Sequence, residues 1–177
     1  MKNFKLNEKD ILSNQDWTFP TTTYYGPGRF NEIAKFCEEF DIKNPLIVTD
    51  SGSKDLPFIK KLIALLSKNS IKSDLFYNIS PNPRDDEISK GCDQFKNGSH
   101  DSIIAIGGGS AMDGGKSICL TVNSETPLWD FEFEQPVPKI TKENAFPKII
   151  TIPTTAGTGA ETEITAMVTH LEKGMKF

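Results

Sequence analysis

Apolar and polar positions along this chain follow two alternating periods, and each switch between them marks an element. Residues 21–25 are a short run of β-branched and aromatic side chains that predicts a strand, broken by Gly26-Pro27-Gly28. Phe30, Ile33, Ala34, Cys37 and Phe40 then recur at helical spacing. Pro45–Asp50 is apolar without alternation and predicts a buried strand ending in a carboxylate. Ser51-Gly52-Ser53 turns the chain, and Ile59, Leu62, Ile63 and Leu66 mark the buried face of a second helix. A third strand is expected over 75–79. Pro81-Asn82-Pro83 predicts a loop, because a residue before proline avoids the helical region. Asp85–Asn97 predicts a helix with Ile88, Cys92 and Phe95 on one side and Gly98 as its terminator. A strongly apolar strand over 102–106 runs into Gly107-Gly108-Gly109 and a helix over 110–122. Four prolines make 127–147 an irregular surface excursion. A fifth strand is expected over 148–152, running into Pro153-Thr154-Thr155, and a short sixth over 166–170.

Strands that are apolar on both sides, alternating with amphipathic helices, predict an α/β fold with a parallel sheet covered on both faces. Ligands of such sheets gather at the carboxyl ends of the strands. Asp50, Asn82, the three glycines and the threonine-rich loop all stand just after predicted strands, which places them on one edge.

Length and composition narrow the picture. The 177 residues fit one domain or one lobe of a larger protein, and an apolar share of 37% can fill a core. No stretch approaches the roughly 20 apolar residues that cross a bilayer. The first 16 residues are polar and lack the apolar run of a signal peptide. A net charge of −4 argues against nucleic acid, whose phosphates call for a basic surface. Cys37, Cys92 and Cys119 are odd in number and widely spaced, as expected for reduced helix residues of a cytoplasmic protein. His100 and His170 are too far apart for a local metal pair and read as surface or turn residues. No Ser/His/Asp or Cys/His nucleophile can be assembled.

Two loops carry the candidate chemistry. Gly107, Gly108 and Gly109 join a strand to a helix, and the helix start offers free N–H groups and a partial positive charge, suited to a pyrophosphate. Ser110 can cap that helix or donate to a phosphate oxygen, and Asp113 lies one turn on. The glycines are not the GxGxxG fingerprint, whose acid follows by about 20 residues, because Asp50 precedes them. Nor are they a Walker loop, since Lys116 in Gly114-Gly115-Lys116-Ser117 falls well inside the helix. The second loop, Thr154 to Glu161, has hydroxyls at Thr154, Thr155 and Thr158 that can donate to phosphate, ribose or carboxamide. Thr158 and Glu161 also have the spacing of a capping box, so a plain helix cap explains them equally. Asp50 is placed to accept from ribose hydroxyls and to repel a 2′-phosphate, which favours NAD over NADP, although an Asp before Ser-Gly is also an ordinary turn starter.

Tyr25-Gly26-Pro27-Gly28, Val48-Thr49-Asp50, Pro81-Asn82-Pro83, Ala105 to Ser110 with Asp113 and Lys116, and Ile152 to Gly159 occur in this order. Together they resemble the N-terminal domain of iron-containing alcohol dehydrogenases, from about Thr21 to the end of the chain. The resemblance implies a Rossmann-like NAD(P)-binding domain over 21–177 behind a polar arm over 1–20. It implies an all-helical metal-binding domain beyond Phe177, so that the metal, commonly iron and held by an aspartate and histidines, has no ligand or catalytic residue in this chain. It implies a small alcohol or aldehyde as substrate and homo-oligomers in the intact family. Carried over position by position, Asp50 is the adenosine-ribose contact, Asn82 part of the cofactor groove, and Gly108, Gly109 and Ser110 the pyrophosphate cradle. Thr154 and Thr158 are cofactor contacts, and Lys176 reaches the nicotinamide-side ribose. Ala160 and Glu163 depart from the family pattern, which carries serine and a small residue such as threonine there. Three consecutive glycines after a strand also occur in sugar and diacylglycerol kinases. Phosphoryl transfer, a dehydroquinate synthase-like lyase and a non-catalytic remnant therefore stand as alternatives.

Overall fold

The computed structural model describes residues 14–18, 21–136, 138–139 and 146–176. Most of the polar arm, part of the proline-rich excursion and Phe177 lie outside them. The arm is not wholly irregular. Its end forms β1 (Gln15–Thr18), paired antiparallel with β2 (Thr22–Tyr25). A 3-10 turn (Arg29–Glu32) leads into α1 (Ile33–Glu39). Three strand–helix units follow: β3 (Pro45–Asp50) with α2 (Pro57–Lys68), β4 (Asp74–Ile79) with α3 (Asp85–Asn97), and β5 (Ser102–Gly107) with α4 (Gly109–Thr121). β6 (Lys148–Pro153) completes a parallel sheet of order β4-β3-β5-β6.

The unbroken apolar strands are explained by burial on both sides. Ile47, Ile104 and Ile106 pack against Ile33 and Cys37 of α1 and Ile59, Leu62 and Leu66 of α2. Leu46, Val48, Ile103 and Ala105 pack on the opposite face against α3 (Ile88, Phe95) and α4 (Ala111, Met112, Ile118). Fully burying each such Ile, Leu, Val, Met or Phe side chain stabilises the fold by roughly 1.5–3 kcal/mol. Ile63, expected inside, is exposed, and the buried stripe of α2 is carried by Ile59, Leu62 and Leu66.

β3 to β4 steps one way across the sheet under α2. β4 to β5 to β6 steps the other way under α3 and α4. This reversal opens a crevice between the carboxyl ends of β3 and β5, the usual ligand position of an open α/β sheet. Gly115 lets α4 lie close to the sheet, since a Cβ there would stand 2.5 Å from the Cβ of Ala105.

Three local expectations change. Gly98 does end α3, but its own φ is −81° and the left-handed residue is Ser99, φ 51°. Glycine is needed at 98 for space, because a Cβ would run into the His100 imidazole. His100 is accordingly not a surface residue. It is buried, with Nδ1 3.0 Å from the Asn44 carbonyl and Nε2 3.4 Å from the Asp74 carboxylate, at the amino ends of the strands. The sixth strand over 166–170 is not a sheet strand either. Only Thr169–His170 (β7) is extended, and it pairs antiparallel with Met175–Lys176 (β8). No helix intervenes to bring the chain back parallel to β6. The hairpin docks instead on the loop before α3, where the Thr169 N–H donates to the Pro83 carbonyl at 2.7 Å.

Candidate functional site

The crevice is floored by the glycines. Gly107 has φ 146°, and a Cβ on it would meet the Ala111 Cβ at 2.8 Å and the Asp50 carboxylate at 3.1 Å. Glycine is obligatory there for the fold itself. Gly108 and Gly109 differ. Gly108 has ordinary extended geometry (φ −80°, ψ −173°). Added Cβ atoms would reach nothing nearer than the Thr155 hydroxyl at 3.5 Å and the Thr158 methyl at 3.4 Å, both ordinary contacts. Packing therefore does not require glycine at these two positions. Their bare backbone faces the crevice at the N-terminus of a 13-residue helix, where the N–H groups of the first turn have no intrahelical acceptor.

The remaining candidates surround this floor. Asp50 ends β3 beside Gly107, and its carboxylate accepts from the Gly52 N–H (3.0 Å) and the Ser53 hydroxyl (2.7 Å). The turn reading of Asp50 thus holds. A carboxylate has about four acceptor sites, so two bonds leave capacity for more. Thr154 closes the opposite side, its N–H donating to the Gly107 carbonyl at 2.8 Å and leaving its side chain exposed. Ser110 does not cap α4. Its hydroxyl donates to the Pro81 carbonyl at 2.5 Å and ties the Asn82 loop to the helix start. Thr158 and Glu161 form no capping box, because among the described residues no helix starts at Thr158. Thr158 Oγ1 instead accepts the Ala160 N–H, at 3.4 Å. The β7–β8 hairpin carries Lys176 across to Asn82, Nζ to Oδ1 3.1 Å. All eleven candidate residues therefore line one edge. Gly109, Ser110, Asp113, Thr158 and Lys176 share a cavity of about 320 Å³, and Asn82 and Lys176 a neighbouring one of about 570 Å³.

Lys116 lies two turns into α4. Its ammonium sits 3.6 Å from Asp113 and bonds the carbonyls of Glu163 and Thr165, so it fastens the 163–165 segment to the helix and takes no Walker role. The structure adds Arg84, Glu163, Thr165 and Met167 to the cavity linings. None belongs to a glycine or threonine motif, and only Glu163 draws notice in the sequence. Burial raises the carboxyl pKa of Asp113 above the usual carboxylate value, only partly offset by Lys116. A carboxyl with a raised folded-state pKa stabilises the fold below its unfolded pKa, and that contribution is lost as pH rises through the folded value. Asp113→Asn is therefore expected to melt above the parent chain at pH 7, with the gap closing as the pH falls through the carboxylate range. Thermal melts across pH check this.

Among the described residues, no three His, Cys, Asp or Glu side chains converge as metal ligands would. His100 lies at the far end of the sheet, and His170 stacks on Trp129 at 4.6 Å with its Nδ1 3.6 Å from Asp85. Burial pushes the Cys37 thiol up to about 11 and the Cys119 thiol up to about 12, which makes both poor nucleophiles near neutral pH. No helix among the described residues is long and apolar enough to cross a membrane.

Comparison with known proteins adds to this geometry. The family model for iron-containing alcohol dehydrogenase matches residues 20–177. A choline dehydrogenase of Bacillus subtilis is 32% identical over 97% of this chain and 43% of its own. A 1,3-propanediol dehydrogenase of Klebsiella pneumoniae is 29% identical over 92% of this chain and 41% of its own. Among solved structures, a 1,3-propanediol oxidoreductase superposes with a TM-score of 0.78 at 30% identity, covering 86% of this chain and 38% of that one. A sulfoacetaldehyde reductase of Bifidobacterium kashiwanohense in complex with NAD+ gives 0.74 at 28% identity over 85% and 39%. The chain spans about two fifths of the length of these relatives. They are dehydrogenases and reductases, and the phosphoryl-transfer and lyase alternatives gain no support from them.

Proposed function

The chain belongs to the iron-containing alcohol dehydrogenase family, and from that premise we propose that its crevice is the NAD(H) site of an enzyme interconverting small alcohols and aldehydes. One observation carries the reading. Gly108 and Gly109 are glycines that the fold does not require, at the start of a long helix and on the carboxyl edge of a parallel sheet. Such a bare helix start binds pyrophosphate.

The roles follow from position. Asp50 accepts from the adenosine ribose and disfavours a 2′-phosphate, so NAD is the preferred cofactor. The backbone N–H groups of Gly108, Gly109 and Ser110 hold the pyrophosphate. The hydroxyls of Thr154, Thr155 and Thr158 face it from the β6 side. Asn82 and Lys176 close the groove from the hairpin side, and Asp113 stands beneath it on α4. When bound, the dinucleotide supplies the acceptor or donor of hydride. The described residues do not fit the metal of the family name, having no ligand set for it. The role proposed for this chain, domain 21–177 of the fold, is to bind and orient the cofactor.

A titration followed by NADH fluorescence, with ATP as competitor, tests the proposal. NADH is expected to bind more tightly than ATP, whose triphosphate would be the better ligand of a phosphoryl-transfer site. Tighter ATP binding would overturn the dehydrogenase reading.

A further inference from the structure

The dinucleotide reading fixes a direction across the sheet. Asp50 lies on the β3 side of the glycines and the threonine loop on the β6 side. With the adenosine at Asp50 and the pyrophosphate on Gly108, the nicotinamide end extends past Thr158 into the cavity of about 320 Å³ that Glu163 and Lys176 also line.

Glu163 is held at the rim of that cavity. The Thr165 hydroxyl donates to its Oε2 at 3.3 Å. The turn at Gly159, φ 68°, packs against the other oxygen, with Oε1 3.2 Å from where a Cβ on Gly159 would stand. The nearby cations are engaged elsewhere. Lys116 pairs with Asp113 at 3.6 Å and meets Glu163 only at its backbone carbonyl, while Lys176 donates to Asn82. Among the described residues no cation forms an ion pair with the Glu163 carboxylate itself, so its negative charge has no direct partner at the rim where the nicotinamide would lie, although the Lys116 and Lys176 ammonium groups stand nearby.

The two redox states of the cofactor differ in charge at that ring: the oxidised nicotinamide is cationic, the reduced one neutral. We propose that Glu163 is the residue by which this site discriminates between them, its carboxylate favouring NAD+ over NADH. The inference rests on the dinucleotide reading and adds to it a residue that departs from the family pattern. At a solvent-exposed rim, opposite charges a few ångströms apart change an equilibrium constant by about three- to tenfold, and salt weakens the effect.

The test is calorimetric titration of the 177-residue chain with NAD+ and with NADH, at low salt and at about 0.5 M salt. Glu163→Gln keeps the shape and removes the charge. Glu172→Gln, in the exposed turn of the β7–β8 hairpin, changes the net charge equally but lies outside the cavity lining. Glu163→Gln is expected to weaken NAD+ about three- to tenfold and NADH less than about twofold, with the difference shrinking at high salt. Glu172→Gln is expected to change neither. An unchanged ratio of the two affinities in Glu163→Gln, or the same change in Glu172→Gln, would overturn the proposal while leaving the dinucleotide site standing. If the parent chain bound neither form, the dinucleotide reading itself would fall, and this inference with it.

Discussion

Gly108→Ala is expected to cost NADH affinity at least about tenfold, some 1.4 kcal/mol, with almost no change in melting temperature. The backbone at 108 has φ and ψ that any residue adopts, and a methyl there would meet only the Thr155 hydroxyl at 3.5 Å. Nothing in the folded chain resists the substitution. The loss is expected on the ligand side, because the proposed pyrophosphate would approach the first N–H groups of α4 through the space beside the added methyl. NADH titration together with a thermal melt measures the two effects separately. Unchanged NADH affinity would show that the glycines serve the turn alone.

The neighbouring substitution has the opposite signature. Gly107→Ala is expected to destabilise the fold by about 2–4 kcal/mol, because a residue forced into a glycine-only conformation costs of order 1–3 kcal/mol and overpacking a tight contact a similar amount. For a chain of this size that corresponds to a fall of roughly 5–15 °C in melting temperature. The methyl would press on Ala111 in α4 and on the Asp50 carboxylate, prying the end of β3 from the start of the helix. NADH binding would weaken as well, but only as a consequence of the displaced floor. A melt matching the parent chain would mean that the loop relaxes freely and that Gly107 is not a fixed point of the site. One residue apart, the two variants separate what the glycine run does for the fold from what it does for a ligand.

Much of the fold is legible in the pattern of apolar positions. Pro45–Asp50 and Asp85–Asn97 emerge with the bounds read from the sequence. Where residues are buried on both faces, hydrophobicity alone signals the strand. The pattern fails where burial depends on a distant partner. Ile63 has the helical spacing of a core residue but stays exposed, outside the α2 stripe of Ile59, Leu62 and Leu66 that packs on the sheet. His100, a polar residue at a joint, is buried because the carbonyl of Asn44 and the carboxylate of Asp74 converge on it from other segments. The run at 166–170 has strand composition, but pairing depends on which edge the chain can reach.

The site divides along the same line. The sequence by itself determined the glycine run, the strand-end position of Asp50 and Asn82, and the threonine loop, because turn chemistry and the strand-to-helix switch are local properties of the chain. Three things were decided only in three dimensions. Ser110 spends its hydroxyl on the Pro81 carbonyl rather than on its own helix. Lys176 meets Asn82 from the far end of the chain. Of three identical glycines, one is demanded by packing and two are not. Backbone conformation and the clearance around a missing Cβ depend on neighbours brought in from β3 and β6, and no local pattern encodes them.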